Sequence, residues 1–177
     1  MTQEFTITIF SENVVGIMSR VIGIITRRKI NAESISASKS SIPGIHKITI
    51  VINQPESEII KVVAQIDKQI DVLKSFYFDN SELVYQELAL YKIPKEVFYN
   101  GDSTETLIRN HNARILTIES DYIVIEKTGH RHETETLLND LQEKGIYEFV
   151  RSGKICVAKP MEVLNTYLKN KGIVAKN

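Results

Sequence analysis

Tryptophan is absent from this chain of 177 residues, and cysteine occurs once. A lone cysteine excludes an internal disulfide framework and a thiolate-based zinc site, and it suits a reducing compartment. Only four histidines are available for acid–base or metal chemistry. No apolar run reaches the length of about 18 residues that a membrane helix requires, and Met1-Thr2-Gln3-Glu4-Phe5 lacks a basic region leading into an apolar stretch. Charge of one sign is lacking as well, because 22 Lys and Arg balance 22 Asp and Glu. No global field therefore draws the chain to nucleic acid or to an anionic membrane. What is present, 42% hydrophobic and 25% charged residues, is the mix of a globular protein. The expectation is a cytoplasmic, soluble protein of two small domains.

Phe5-Thr6-Ile7-Thr8-Ile9-Phe10 alternates apolar and polar residues, the pattern of a half-buried strand. Ile17, Val21, Ile24 and Ile25 then recur at helical spacing and predict an amphipathic helix over about 17–28. Asn31 to Ser38 reads as a short strand, Pro43-Gly44 as a turn, and His46 to Ile52 as a strand with Ile48, Ile50 and Ile52 on one face. After Pro55, Ile59, Val62, Val63, Ile66 and Ile70 mark a second helix, and Val72 to Phe78 a last strand. The order β-α-β-β-α-β gives a four-stranded antiparallel sheet with both helices on one face, the ferredoxin-like arrangement. The other sheet face must be wetted or covered, and a unit this small is only marginally stable alone.

The second half repeats the order in shorter form. Glu87 to Ile93 reads as a strand, Ser103 to His111 as a helix, and Arg114–Glu119 and Tyr122–Lys127 as a strand pair around Ser120-Asp121. His132 to Lys144 reads as a helix capped by Gly145, and Tyr147 to Ala158 as the last strand, folded as a hairpin around Ser152-Gly153. Met161, Leu164 and Leu168 suggest one more helix in the tail. The fold class is α+β with two βαββαβ domains, residues 1–80 and residues 81–177 with the tail.

Catalytic chemistry finds little support. Cys156 sits in the apolar run Ile155-Cys156-Val157-Ala158 and reads as a small hydrophobe. His130-Arg131-His132-Glu133 falls at a loop-to-helix junction without third and fourth ligands nearby, so it reads as a solvated helix start rather than a metal site. His46 and His111 are isolated and read as surface or edge residues. Gly16 stands alone, without the glycine-rich loop of a phosphate-binding motif. Arg27-Arg28-Lys29 sits where a helix C-terminus favours cations in any case. Lys47, Thr49 and Val51 share one strand face with no aromatic among them, which argues against an RNA-binding sheet.

The loop Glu12-Asn13-Val14-Val15-Gly16 is more informative, because it leads straight into a helix whose first N–H groups lack intrahelical partners. Two readings stand at this point. Such a terminus attracts a carboxylate, with the Asn13 amide adding a contact; alternatively, Asn13 caps the helix and Gly16 merely relieves crowding.

The run I-F-S-E-N-V-V-G-I-M-S-R from Ile9 to Arg20, continued by Val21-Ile22-Gly23 and Asn31-x-Glu33-Ser34, closely resembles the ACT domain of the small, regulatory subunit of acetohydroxyacid synthase (acetolactate synthase). The second half resembles the same family more thinly, through Leu90-x-Lys92-Ile93, Glu126-x-Thr128-Gly129 and Glu148-x-x-Arg151-Ser152-Gly153. The resemblance covers roughly residues 3–159. It implies a subunit with no active site, hence no catalytic residue and no metal. It also implies a catalytic large subunit as partner, which alone carries thiamine diphosphate, FAD and magnesium. Activation of that partner and feedback inhibition by branched-chain amino acids, usually valine, are the implied functions. A homodimer through the ACT domains is implied too, with the effector at the interface: Asn13, Gly16 and Ile17 from one chain, Asn31 and Ala32 from the other. Departures from the family pattern are Val14-Val15, Lys29 at a position where relatives carry glycine, and the segment Lys39 to Gly44. The competing readings are a free-standing ACT-type amino-acid sensor acting on another partner, and a small enzyme on the same scaffold, since fold alone does not choose function.

Overall fold

The computed structural model describes residues 1–99, 102–159, 164 and 167. The chain divides into two compact units, residues 1–84 together with the stretch from Lys154, and residues 85–153. These limits differ from the ranges 1–80 and 81–177 read from sequence, chiefly because the chain returns at Lys154 to the unit it left.

In the first unit, β1 (Gln3–Glu12), α1 (Ile17–Arg27), β2 (Ala32–Lys39), β3 (Ile45–Gln54), α2 (Glu56–Ile66) and β4 (Val72–Phe78) follow the expected order. The sheet order is β2-β3-β1-β4, with every neighbouring pair antiparallel. Alternation decides the faces. Phe5, Ile7 and Ile9 of β1 and Ile48, Ile50 and Ile52 of β3 point to the helices and are buried against Val21, Ile24, Ile25, Ile59, Val62 and Ile66. Lys29 ends α1 in the left-handed region at φ 57°, where a glycine would sit without strain.

The helix-free face of this sheet is covered, and the cover comes from the same chain. Thr6, Thr8, Thr49 and Val51 on that face are all buried. Lys47 Nζ donates to the Cys156 carbonyl at 2.5 Å, and Ser36 Oγ donates to the Lys154 carbonyl at 3.2 Å. Lys154, 3% exposed, is tied by its ammonium to Glu4 Oε1 at 2.7 Å and Asn80 Oδ1 at 2.9 Å. Cys156 is buried beneath this cover, in keeping with a small hydrophobe.

The second unit begins within β5 (Leu83–Pro94) and continues through α3 (Lys95–Tyr99), α4 (Asp102–Asn110), β6 (Arg114–Ile118), β7 (Tyr122–Gly129), α5 (Arg131–Gln142) and β8 (Glu148–Arg151); β9 (Ile155–Ala158) follows. The order β6-β7-β5-β8 repeats that of the first sheet. Its core joins Ala89, Tyr91, Ile93, Ile123 and Ile125 to Ile108, Leu137 and Leu141. Gly145, at φ +106°, follows α5 and donates to the Leu141 carbonyl at 3.0 Å. The five residues of α3 are too few to show a period in the sequence. β8 and β9 do not form a hairpin around Ser152-Gly153; each pairs with β5 instead. The Ser152 side chain explains the break, since its Oγ accepts from the Leu88 N–H at 2.9 Å and locks that turn onto β5. Of the expected tail helix, Leu164 and Tyr167 are helical and Leu164 is buried, while Met161 and Leu168 lie outside the described residues.

Candidate effector site

Asn13 to Gly16 connect β1 to α1. Gly16 is the N-cap of α1 at φ +86°, in the left-handed region that L side chains avoid. No atom lies within 4 Å of the place a Cβ would take. The glycine is therefore demanded by backbone angle and not by crowding. No side chain caps α1, and its first turn holds no acidic residue. Both halves of the capping explanation thus fail. The positive end of the helix dipole is left for water or for an anionic ligand.

The Asn13 side chain is exposed, while its backbone N–H donates to the Gly44 carbonyl at 3.2 Å. That bond fastens the β1–α1 loop to the β2–β3 turn. Two cavities open on Asn13 here. One of 320 Å³ is lined by Lys39, Ser40, Ile42, Ile45 and His46 among others, and one of 390 Å³ by Glu12, Val14 and Pro43 among others. The turn wall is held in shape by Ile42 N–H donating to Ser40 Oγ at 2.9 Å and by the packing of Ile42 and Ile45 near Phe10. Ile17 is buried under the loop, whereas Val15 is fully exposed.

Asn13, Gly16 and Ile17 are therefore together at one end of the sheet. Asn31 and Ala32 are not with them. Glu12 pairs with Ile45 at one end of β3, whereas Ala32 pairs with Ile52 near the other. The stretch from Ile45 to Ile52 spans about 23 Å at the usual strand rise, so one chain alone does not assemble the five residues. From sequence, none of the turn residues Lys39, Ile42, Ile45 and His46 is placed in the site: His46 reads as an isolated surface or edge residue and Lys39 to Gly44 as a departure from the family pattern. The signal was available, because antiparallel pairing of β2 with β3 puts their turn at the same sheet end as the β1–α1 loop.

The other residues flagged in the sequence have local partners. His111 is not isolated: its Nε2 lies 2.8 Å from Asp140 Oδ2, and its side chain is 18% exposed. His130 is the N-cap of α5, and its N–H donates to Glu133 Oε2 at 2.7 Å. That bond above all, then the nearby Lys127 charge, holds the Glu133 carboxyl below the ordinary carboxylate range. Arg151, from the second half of the sequence motif, lies 3.1 Å from Glu87 and 3.2 Å from Glu135 and so ties β8 to β5 and α5. Among the described residues, no set of three or more His, Cys, Asp or Glu is placed to hold a metal ion, and no helix is long and apolar enough to cross a membrane.

Residues 7–74 match the family described as the AHAS small subunit-like ACT domain, and residues 86–160 match the family described as the small subunit of acetolactate synthase. The acetolactate synthase small subunit of Bacillus subtilis is 32% identical over 164 residues, covering 90% of this chain and 91% of the relative. A probable acetolactate synthase small subunit of Archaeoglobus fulgidus is 28% identical over 88% of this chain and 97% of its own length. In fold, the crystal structure of the acetolactate synthase small subunit from Thermotoga maritima superposes with a TM-score of 0.81 at 24% identity, over 89% of this chain and 98% of that one.

Proposed function

The chain belongs to the family of acetolactate synthase small subunits, and from that premise we propose that it binds the catalytic large subunit, raises its activity and makes it responsive to valine. The family is the regulatory, non-catalytic subunit of a thiamine-diphosphate-dependent enzyme. In this reading thiamine diphosphate, FAD and magnesium stay with the large subunit. The ACT domain of residues 1–80 is the sensor.

The observation that carries the reading is the uncapped start of α1 at a left-handed Gly16, beside Asn13 and its cavities. The effector's carboxylate is held by the first-turn N–H groups and the Asn13 amide, and Ile17 lies beneath them. The separation of Asn31 and Ala32 from this end supports a two-chain site. β2 is an edge strand of its sheet, with Glu33, Ile35 and Ala37 exposed. Antiparallel pairing of two such edges sets residue 32 of one chain against the far end of the partner's β2, where the partner's own loop at position 13 lies. Valine then favours one arrangement of the pair, and the large subunit responds through its differential contacts with the two arrangements. A tenfold response corresponds to about 1.4 kcal/mol of coupling.

The test is acetolactate formation by the organism's own large subunit, with and without this chain, during a valine titration. Stimulation together with valine-dependent inhibition is expected. Asn13→Ala, or Gly16→Asp, which puts a side chain at φ +86° and a carboxylate at the anion end of the helix, should abolish inhibition and spare stimulation. Equal loss of both activities would make these residues structural. No stimulation by a folded chain would favour a free-standing sensor of another partner.

A further inference from the structure

The two units can be aligned bond for bond. The Ile30 N–H closes α1 on the Ile25 carbonyl as the Ala113 N–H closes α4 on the Ile108 carbonyl. Lys29 and Asn112 hold the same left-handed position, at φ 57° and 51°. At the start of the second helix, Glu58 and Ile59 donate to the Pro55 carbonyl as Glu133 and Thr134 donate to the His130 carbonyl. This sets Arg28 against His111, Glu58 against Glu133 and Gln65 against Asp140. Counted back from the N-caps Pro55 and His130, it also sets Ile52 against Lys127.

In the first unit this place is filled. Ile52 is fully buried, and Arg28 reaches Glu58 at 3.4 Å and Gln65 at 3.1 Å. In the second unit lysine replaces the isoleucine and histidine replaces the arginine. A cavity of 230 Å³ stands there, lined only by polar residues, among them His111, Asn112, Lys127, His132, Glu133 and Thr136. Lys127 is 5% exposed, yet among the described residues its ammonium has one acceptor at hydrogen-bond distance, the His111 carbonyl at 2.7 Å. The Glu133 carboxylate stays 3.9 Å away because the His130 N–H holds its other oxygen. Burying an ammonium costs free energy unless it is paired and bonded. Here cation and carboxylate face one cavity across a gap too wide for a hydrogen bond.

We propose that this cavity binds a small polar α-amino acid, its carboxylate on Lys127 Nζ and its ammonium on Glu133. A simple anion would be opposed by Glu133 and a simple cation by Lys127, whereas the zwitterion satisfies both. Thr136, His111 and His132 at its edge offer partners to a polar side chain. The site is separate from the effector site and does not depend on it.

The four histidines make the test direct, because His46 lines the Asn13 cavity while His111 and His132 line this one. Imidazole proton resonances of the full chain, assigned with single His→Gln variants, are followed while L-serine is added. Saturable shifts at His111 and His132, with His46 unmoved, are expected. Lys127→Met should remove them, and Thr136→Val, which leaves the buried charge in place, should weaken serine binding about fivefold by taking away the oxygen that accepts from the serine hydroxyl while donating to the His132 carbonyl at 2.7 Å. Sodium acetate or methylammonium chloride alone should leave the signals in place. The proposal is overturned if serine moves neither signal, if acetate alone reproduces the shifts, or if Thr136→Val and Lys127→Met both respond as the wild type does.

Discussion

Among the described residues, thirteen buried apolar residues form the hydrophobic cluster of the first unit, twelve isoleucines or valines of sheet and helices together with Phe5, whereas the second gathers eight, Tyr91 included. The second unit takes charged groups, Glu87 and Lys127, into its interior. The Tyr91 hydroxyl donates to the buried Thr134 carbonyl at 2.7 Å, and burial pushes its phenol pKa up. Arg151 reaches both Glu87 and Glu135, and Lys127 stands where the first unit has Ile52. One topology thus tolerates two interiors. A repeat with an aliphatic core resists change, and one with a polar interior has room to carry a ligand.

Exchanging the paired positions breaks this comparison most sharply. Ile52→Lys puts an uncompensated charge among isoleucines and should cost about 3–5 kcal/mol in urea denaturation. The reverse change, Lys127→Met, replaces a buried cation by an apolar chain of similar length and should stay within about 1 kcal/mol of wild type. Equal costs for the two would mean that the interiors do not differ in the way described.

Tyr91→Phe comes next. It takes a second donor from the Thr134 carbonyl, which keeps its place in the α5 helix ladder, and should cost about 1 kcal/mol. A neutral result would show that water reaches this carbonyl.

Acid sensitivity is a feature of both units, since Glu58, the counterpart of Glu133, is also held low, first by its bond with Lys61. Glu133 is held low first by the His130 N–H, and Glu135 first by the Arg131 side chain with Arg151 next. A carboxyl with a depressed folded pKa stabilises above its unfolded pKa and loses that contribution as pH falls through the folded one. The second unit should therefore weaken below about pH 4. Amide exchange or melting followed from pH 7 to 3 should show a shallower acid limb for Glu133→Gln than for wild type. An unchanged acid limb would assign the loss to other carboxyls.

The smallest effect is expected from His111→Arg, which copies Arg28 into the second unit. The pair with Asp140 is partly exposed, so melting should move by no more than about 0.5 kcal/mol in free energy. A larger change would show that the imidazole bridge holds α4 to α5 more firmly than a guanidinium does.

Much of the fold was legible from local pattern. Alternation along Phe5–Phe10 and the opposition of Lys47, Thr49 and Val51 to Ile48, Ile50 and Ile52 follow from the two-residue period of a strand. Ile17, Val21, Ile24 and Ile25 on one helix stripe are all buried, as their spacing predicts. Asn13, Gly16 and Ile17 lie within one loop and its helix, so local sequence brings them together. The wall they face follows only at one remove, from the βαββαβ order, because Lys39, Ile42 and His46 reach the loop once β3 has paired with both β1 and β2.

The amino-acid order by itself determined the element order of the first unit, the faces of its helices and the inward side of its strands. Each of these depends on residues a few places apart. Tertiary structure alone decided that the chain returns at Lys154 to cover the first sheet, that β8 and β9 join β5 rather than one another, and that Lys127 is buried beside a polar cavity while its counterpart Ile52 packs in a closed core. Those outcomes rest on contacts between residues far apart in sequence, and no local period encodes which distant partner a strand, a lysine or a returning segment will meet.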